Sequence, residues 1–274
     1  TFDTTLANPD KLKKTVTFCY QIQPYQKTET VKTFETTVAL DGSETQKVSN
    51  AFDWSDPVLW ETDAPYLYQI SAELTADGKL SDRSLPRRFG FRELWIDGKE
   101  TMLNGKPFRV ITLSAPIRDA FATASPTHLI PVLELYKKAN FNSVMISNEY
   151  AWRAGGCAQS YDQLLEYTDA HGWLVSLPLL RTYDINWNSP AERAVWLKLN
   201  RELMERYQNC PSLVFLSMNF NLLGYPWDLN PYAWADDFRP ADKINDLGRR
   251  RKEAGESEKL IRNIDDTRLI YHHA

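Results

Sequence analysis

The 274-residue chain has little of what marks several large functional classes. Basic residues are not in excess: 32 Lys and Arg stand against 36 Asp and Glu, a formal net charge of −4. The electrostatic footprint of a nucleic-acid binder is therefore missing. No apolar run approaches the ~20 residues of a membrane-spanning helix, so no membrane partner is expected. The three cysteines, Cys19, Cys157 and Cys210, are odd in number and widely separated. They make neither a disulfide framework nor a metal-ligand spacing, and no metal or cofactor is expected. Thr1-Phe2-Asp3 opens in polar sequence without a leader pattern, as mature secreted proteins also do, so the cellular compartment stays open. What is plentiful is aromatic surface, 12% of residues with nine tryptophans. Such rings stack on sugars or fill a large core.

Up to about Arg92 the chain reads as strands. Val16, Phe18, Tyr20 and Ile22 alternate with polar neighbours, as do Phe34, Thr36, Val38 and Leu40, and then Tyr68, Ile70, Ala72 and Leu74. A period of two places one face in a core and the other in water. Asp41-Gly42 and Asp77-Gly78 supply turns between strands. Strand number and spacing predict an immunoglobulin-like β-sandwich over residues 1–92, a support or binding module to which no chemistry is assigned.

From Trp95 onward strands alternate with helices. Strands are predicted at 108–113, 143–147, 173–177, 213–216 and 268–271. Helices are predicted to open at Ser125-Pro126, to span 161–171 up to Gly172, to open at the capping box Ser189-Pro190-Ala191-Glu192, and to lie within 241–264. Leu129, Val132, Leu133 and Tyr136 would form the inner face of the first, which Pro131 should strain or kink. Trp196, Leu199, Leu203 and Tyr207 would form the inner face of the third. This alternation implies parallel strands joined by right-handed crossovers. No glycine-rich nucleotide loop follows the first of them, because Asn104-Gly105-Lys106-Pro107 is a turn.

The organising stretch is Asn209 to Pro231. It begins with a turn, continues as an apolar strand, and ends in amides, aromatic residues and Asp228. A buried strand that delivers polar groups at its C-terminal end builds a site in a β/α barrel; a core strand before a polar surface loop reads the same way. A complete barrel takes about 250 residues, whereas about 180 remain after the sandwich and supply only five strands. The chain is therefore expected to be a piece of a longer protein or to be completed by a second chain. Either would cover sheet edges otherwise prone to aggregation.

Several motifs resemble glycoside hydrolase family 2, the β-galactosidase, β-glucuronidase and β-mannosidase group. They are Pro65-Tyr66-Leu67-Tyr68, Arg88-Phe89-Gly90-Phe91-Arg92-Glu93, Leu103-Asn104-Gly105-Lys106-Pro107, the run from Lys138 to Val144, Pro211-Ser212-Leu213-Val214, and Asp265-Asp266-Thr267-Arg268. The resemblance covers most of residues 54–274. It implies a sandwich followed, over residues 93–274, by the N-terminal part of a (β/α)8 barrel, here about five units. It also implies a carbohydrate substrate and the hydrolysis of β-linked sugars.

That chemistry needs two carboxyl groups, about 5–5.5 Å apart in retaining enzymes. The family's acid/base glutamate follows an asparagine at the end of the fourth strand. Phe220 and Asn221 hold those positions here, and an amide cannot serve as general acid. Glu149 and Asp228 are the candidate replacements. Asp184, Asn148, Asn219 and Asn221 can bind sugar hydroxyls, or close turns and cap helices instead. Trp187 and Trp227, like Trp152, can stack on a sugar ring or pack in the core. His128 and His171 read as structural. Of His272 and His273 only one can face the site. A non-catalytic carbohydrate-binding or degenerate relative is the alternative reading, and this chain by itself is expected to be inactive.

Overall fold

The computed structural model describes residues 1–76, 78–114, 129–146, 157–182, 185–219 and 241–272. The chain divides into two compact units, one of residues 1–60 and 66–91, the other of residues 61–65 and 92–274.

The first unit contains strands β1 (Phe2–Ala7), β2 (Lys14–Pro24), β3 (Lys32–Leu40), β4 (Thr45–Asn50), β5 (Tyr68–Ala76), β6 (Lys79–Arg83) and β7 (Arg87–Phe89). One sheet runs in the order β3-β2-β5-β6, with β7 also paired to β5; the other pairs β1 with β4. The alternation seen in the sequence is the burial pattern of β2, where Val16, Phe18, Tyr20 and Ile22 are all inside. Leu6 of β1 packs with Val16, Phe18 and Tyr20 of β2 and Leu40 of β3, flanked by Val48 of β4 and by Ile70, Ala72 and Leu74 of β5. The two sheets thus enclose one apolar layer, which makes the unit a sandwich. The Asp41-Gly42 turn does not close a hairpin within one sheet. It passes the chain from β3 to β4, across to the other sheet.

The second unit opens with an antiparallel ribbon, β8 (Leu94–Asp97), β9 (Glu100–Leu103) and β10 (Lys106–Pro107). At the β9–β10 turn Asn104 and Gly105 both have positive φ, 51° and 80°, the backbone that Asn-Gly pairs favour. There follow β11 (Thr112–Ser114), α1 (Leu129–Lys138), β12 (Ser143–Met145), α2 (Cys157–His171), β13 (Leu174–Pro178), α3 (Pro190–Tyr207), β14 (Leu213–Asn219), α4 (Ala241–Arg262) and β15 (Leu269–His272). Strands β11 to β15 form one sheet in chain order, and every pairing is parallel. Leu113, Val144, Val175, Leu177, Leu216 and Met218 from the sheet pack with Leu133, Leu164, Leu165, Trp196, Leu203 and Ile261 from the helices.

Three local expectations change. Residues 108–111 are not strand, and pairing begins only at Thr112. On α3, Leu199 is exposed and Asn200 takes the buried place, because its Oδ1 accepts the Leu180 N–H at 2.9 Å. The capping box forms by half: Ser189 Oγ accepts from Glu192 N, while the Glu192 carboxylate accepts from Asn186 N rather than from the cap residue.

Candidate functional site

Two ends of the parallel sheet carry polar clusters, and they differ in kind. At the N-terminal end the family-like motifs converge on the start of β14. Arg92 donates to the carbonyls of Pro211 and Leu213 at 3.0 and 2.7 Å. Arg268 donates to Leu213 O and Gln208 O, and pairs with Asp265. Ser212 donates its N–H to the buried Asp169 carboxylate, and its hydroxyl meets Thr168. Burial and the neighbouring Arg268 lower the Arg92 guanidinium to about 10. Burial pushes the Asp265 carboxyl up, but Arg268 and Thr267 outweigh it and hold the group below its ordinary value. Nearby, Asn142 ties β11 to β12 by accepting from Ile111 N and donating to Arg109 O. Arg92, Ser212 and Arg268, from three of the family-like motifs, thus fix the start of β14.

The C-terminal end is where parallel strands deliver functional groups. Asn219, the last residue of β14, is fully buried. Its Oδ1 accepts from Thr182 N at 2.9 Å and from the Thr182 hydroxyl at 3.1 Å, and its Nδ2 stands 3.1 Å from His272 Nδ1. The sequence gives no sign of this triad, because it depends on a bulge. Pairing shifts between Ser217 and Asn219, so that Asn219 rather than Met218 stands opposite His272. Burial lowers the His272 pKa, with Glu258 opposing. On the sheet's other face the Ser176 hydroxyl meets Tyr271 OH at 2.7 Å, and Phe215 packs edge-on to the same ring. The signal for Ser176 was present in the sequence as the lone hydroxyl within Leu174-Val175-Ser176-Leu177.

Of the residues singled out from sequence, Glu149, Asp228, Asn148, Asp184, Asn221 and Trp227 lie outside the described residues, as do Trp152, His128 and His273. Trp187 is 4% exposed, edge-on to Trp196, and donates its indole N–H to Glu256 at 2.7 Å. It stands in the core and offers no open ring face. Asn219 directs its amide oxygen at Thr182 and its amide nitrogen at His272. His171 stacks on Tyr167 and its Nδ1 lies 2.8 Å from Tyr167 O, as a structural residue would. Among the described residues no group of three His, Cys, Asp or Glu is placed to hold a metal, and no helix is long and apolar enough to cross a membrane.

Residues 1–92 match the family Glycosyl hydrolases family 2. No curated protein matches the chain. Among solved structures, a β-glucuronidase of Bacteroides uniformis superposes with a TM-score of 0.71 at 23% identity, covering 98% of this chain and 31% of its own. A putative β-galactosidase of Bacteroides fragilis gives 0.65 at 20% identity, covering 98% of this chain and 36% of its own. A family 2 β-galacturonidase of Eisenbergiella tayi, bound to galacturonate, gives 0.63 at 19%, covering 98% of this chain and 43% of its own. At these identities the likeness is one of fold. The chain spans about a third of the length of the first of these structures.

Proposed function

We propose, from the match of residues 1–92 to Glycosyl hydrolases family 2, that the chain is the front part of a β-glycoside hydrolase of this type. In this reading the sandwich is immunoglobulin-like, and residues 93–274 are the first five β/α units of a (β/α)8 barrel. Further units, from the same polypeptide or a second chain, complete it. The observation that carries the reading is the sheet β11-β12-β13-β14-β15, parallel throughout and in chain order, with helices α1 to α4 between successive strands. Among the described residues its edges β11 and β15 have one paired neighbour each. A parallel sheet of this kind is stable when both faces and edges are covered, and closure into a barrel does both.

The reaction follows from the site's position. Segments leaving the C-terminal ends of β12, β13 and β14 contain Glu149, Asp184 and Asp228 respectively. Glu149 and Asp228 are the proposed acids, since Asn221 at the usual acid/base position cannot protonate a leaving group. Asp184, Asn148, Asn221 and Trp227 contact the sugar. Asn219 and Trp187 are not assigned to it: Asn219 bonds Thr182 and His272, and the Trp187 indole N–H donates to Glu256. No cofactor is required. A second reading, a carbohydrate-binding relative without turnover, is favoured by the single residue Asn221.

The two are separated by assaying the completed polypeptide on activated aryl β-glycosides beside natural β-linked oligosaccharides, with calorimetry for binding. Hydrolysis abolished by Glu149→Gln or Asp228→Asn supports the first reading. Binding with no product supports the second. Hydrolysis indifferent to both substitutions removes Glu149 and Asp228 as the acids.

A further inference from the structure

The contacts of Asn219 determine the chemical state of His272. A backbone N–H only donates, so the amide atom 2.9 Å from Thr182 N is the oxygen, and Nδ2 is the atom facing His272. An amide nitrogen also only donates, so His272 Nδ1 accepts. The ring is then neutral and carries its proton on Nε2. That Nε2 is buried and has no partner among the described residues. The ring's place follows from strand parity. Ile270, two residues earlier on β15, packs against the apolar core, so His272 enters the same layer, on the side of α4. The charge acting on it from α4 is Glu258, which itself accepts from Arg262; Asn219 and Thr182 are uncharged.

We propose that Asn219 and His272 are a positioning pair: the neutral, Nε2-protonated imidazole orients the Asn219 amide, which in turn holds Thr182, locking together the ends of β13, β14 and β15. The chain leaves this lock toward Asp184 on one side and Asn221 on the other, so the pair sets the frame of the sugar site, a consequence that rests on the functional reading above. His272 is not a catalytic acid in this account. Its accepting nitrogen is occupied by Asn219 and its ring stays uncharged, and burial disfavours the imidazolium as well.

The test uses the completed polypeptide without ligand, so it stands or falls apart from any sugar chemistry. Ring-nitrogen NMR should show His272 as the Nε2–H tautomer, unchanged between pH 8 and pH 6. A ring protonated on Nδ1, or one titrating at the ordinary histidine value of about 6.5, overturns the proposal. Hydrogen exchange at the Thr182 amide then tests the lock. His272→Phe keeps the ring but removes the acceptor, and should speed exchange about tenfold or more. His272→Asn, whose Oδ1 replaces Nδ1 as acceptor, should restore protection. Equal exchange in the two variants would mean the ring only fills space. If His272→Phe does not fold, the wild-type tautomer still decides.

Discussion

Replacing Gly172 by alanine should destabilise the second unit far more than the same change at Gly105, and the difference can be worked from geometry. Gly172 ends α2 at φ +67°, and Gly105 sits in the β9–β10 turn at φ +80°. Both replacements place a β-carbon in the left-handed region, at a cost of about 1–2 kcal/mol. Around Gly105 an added Cβ meets nothing within 4 Å. At Gly172 it would overlap the carbonyl oxygen of Thr62 and lie 2.6 Å from that carbonyl's carbon. This neighbour is backbone and cannot rotate away. It is also pinned, since Lys137 Nζ donates to Thr62 O at 3.0 Å and to Gly172 O at 2.7 Å. Relieving such overpacking costs about 1–3 kcal/mol more, offset by about 0.4–1 kcal/mol from a stiffer unfolded chain. Gly172→Ala should therefore cost about 2–4 kcal/mol and Gly105→Ala about 1 kcal/mol. Urea unfolding followed by tryptophan fluorescence measures both, at unchanged slope. Equal losses for the two variants would refute the close packing of residues 61–65 against the α2–β13 turn.

Other outcomes follow from the same structure. Arg92→Ala leaves the Pro211 and Leu213 carbonyls short of a charged donor and should cost about 2–4 kcal/mol in denaturant unfolding. Arg92→Lys should recover only part of this, because an ammonium cannot span both carbonyls as a guanidinium fork does. His272 has a lowered pKa in the folded chain, so the unfolded chain binds the proton more readily. Stability should be full above about pH 6.5 and fall as pH drops below it, and His272→Gln should flatten that slope. Trp187→Phe removes the indole N–H that Glu256 accepts and should cost about 1 kcal/mol, with the fold intact by circular dichroism.

The regular parts of this fold are legible because their periods are written in side-chain polarity. Val16 to Ile22 can only be a strand with one wet face, and the apolar run beginning at Leu213 can only be a buried one. Single positions within an element are less legible. Periodicity assigns Leu199 to the core of α3, yet Asn200 is inside because the free N–H of Leu180 needs an acceptor there. A tryptophan in a polar loop reads equally as a sugar platform or as core, and Trp187 meets Trp196 in the core. The family-like motifs were visible as motifs, but their role was not. Arg92, Ser212 and Arg268 are far apart in sequence and meet only once β14 is laid between β13 and β15. The Asn219–His272 contact was hidden for a stricter reason. It requires a one-residue shift in pairing, and nothing in the alternation of Leu213 to Asn219 announces a bulge.

The central proposal is that Asn221, in the segment after β14, stands where the resembled family places its general acid. Restoring the acid where the proposed replacements are removed tests it: Asn221→Glu added to the completed polypeptide carrying Glu149→Gln and Asp228→Asn, assayed against that background on a β-glycoside whose leaving group needs protonation and on an activated aryl glycoside that does not. The account predicts a rise of about 10²–10⁴-fold on the first substrate and little change on the second, the range expected for a positioned proton donor. Equal effects on the two substrates, or none on either, would contradict it.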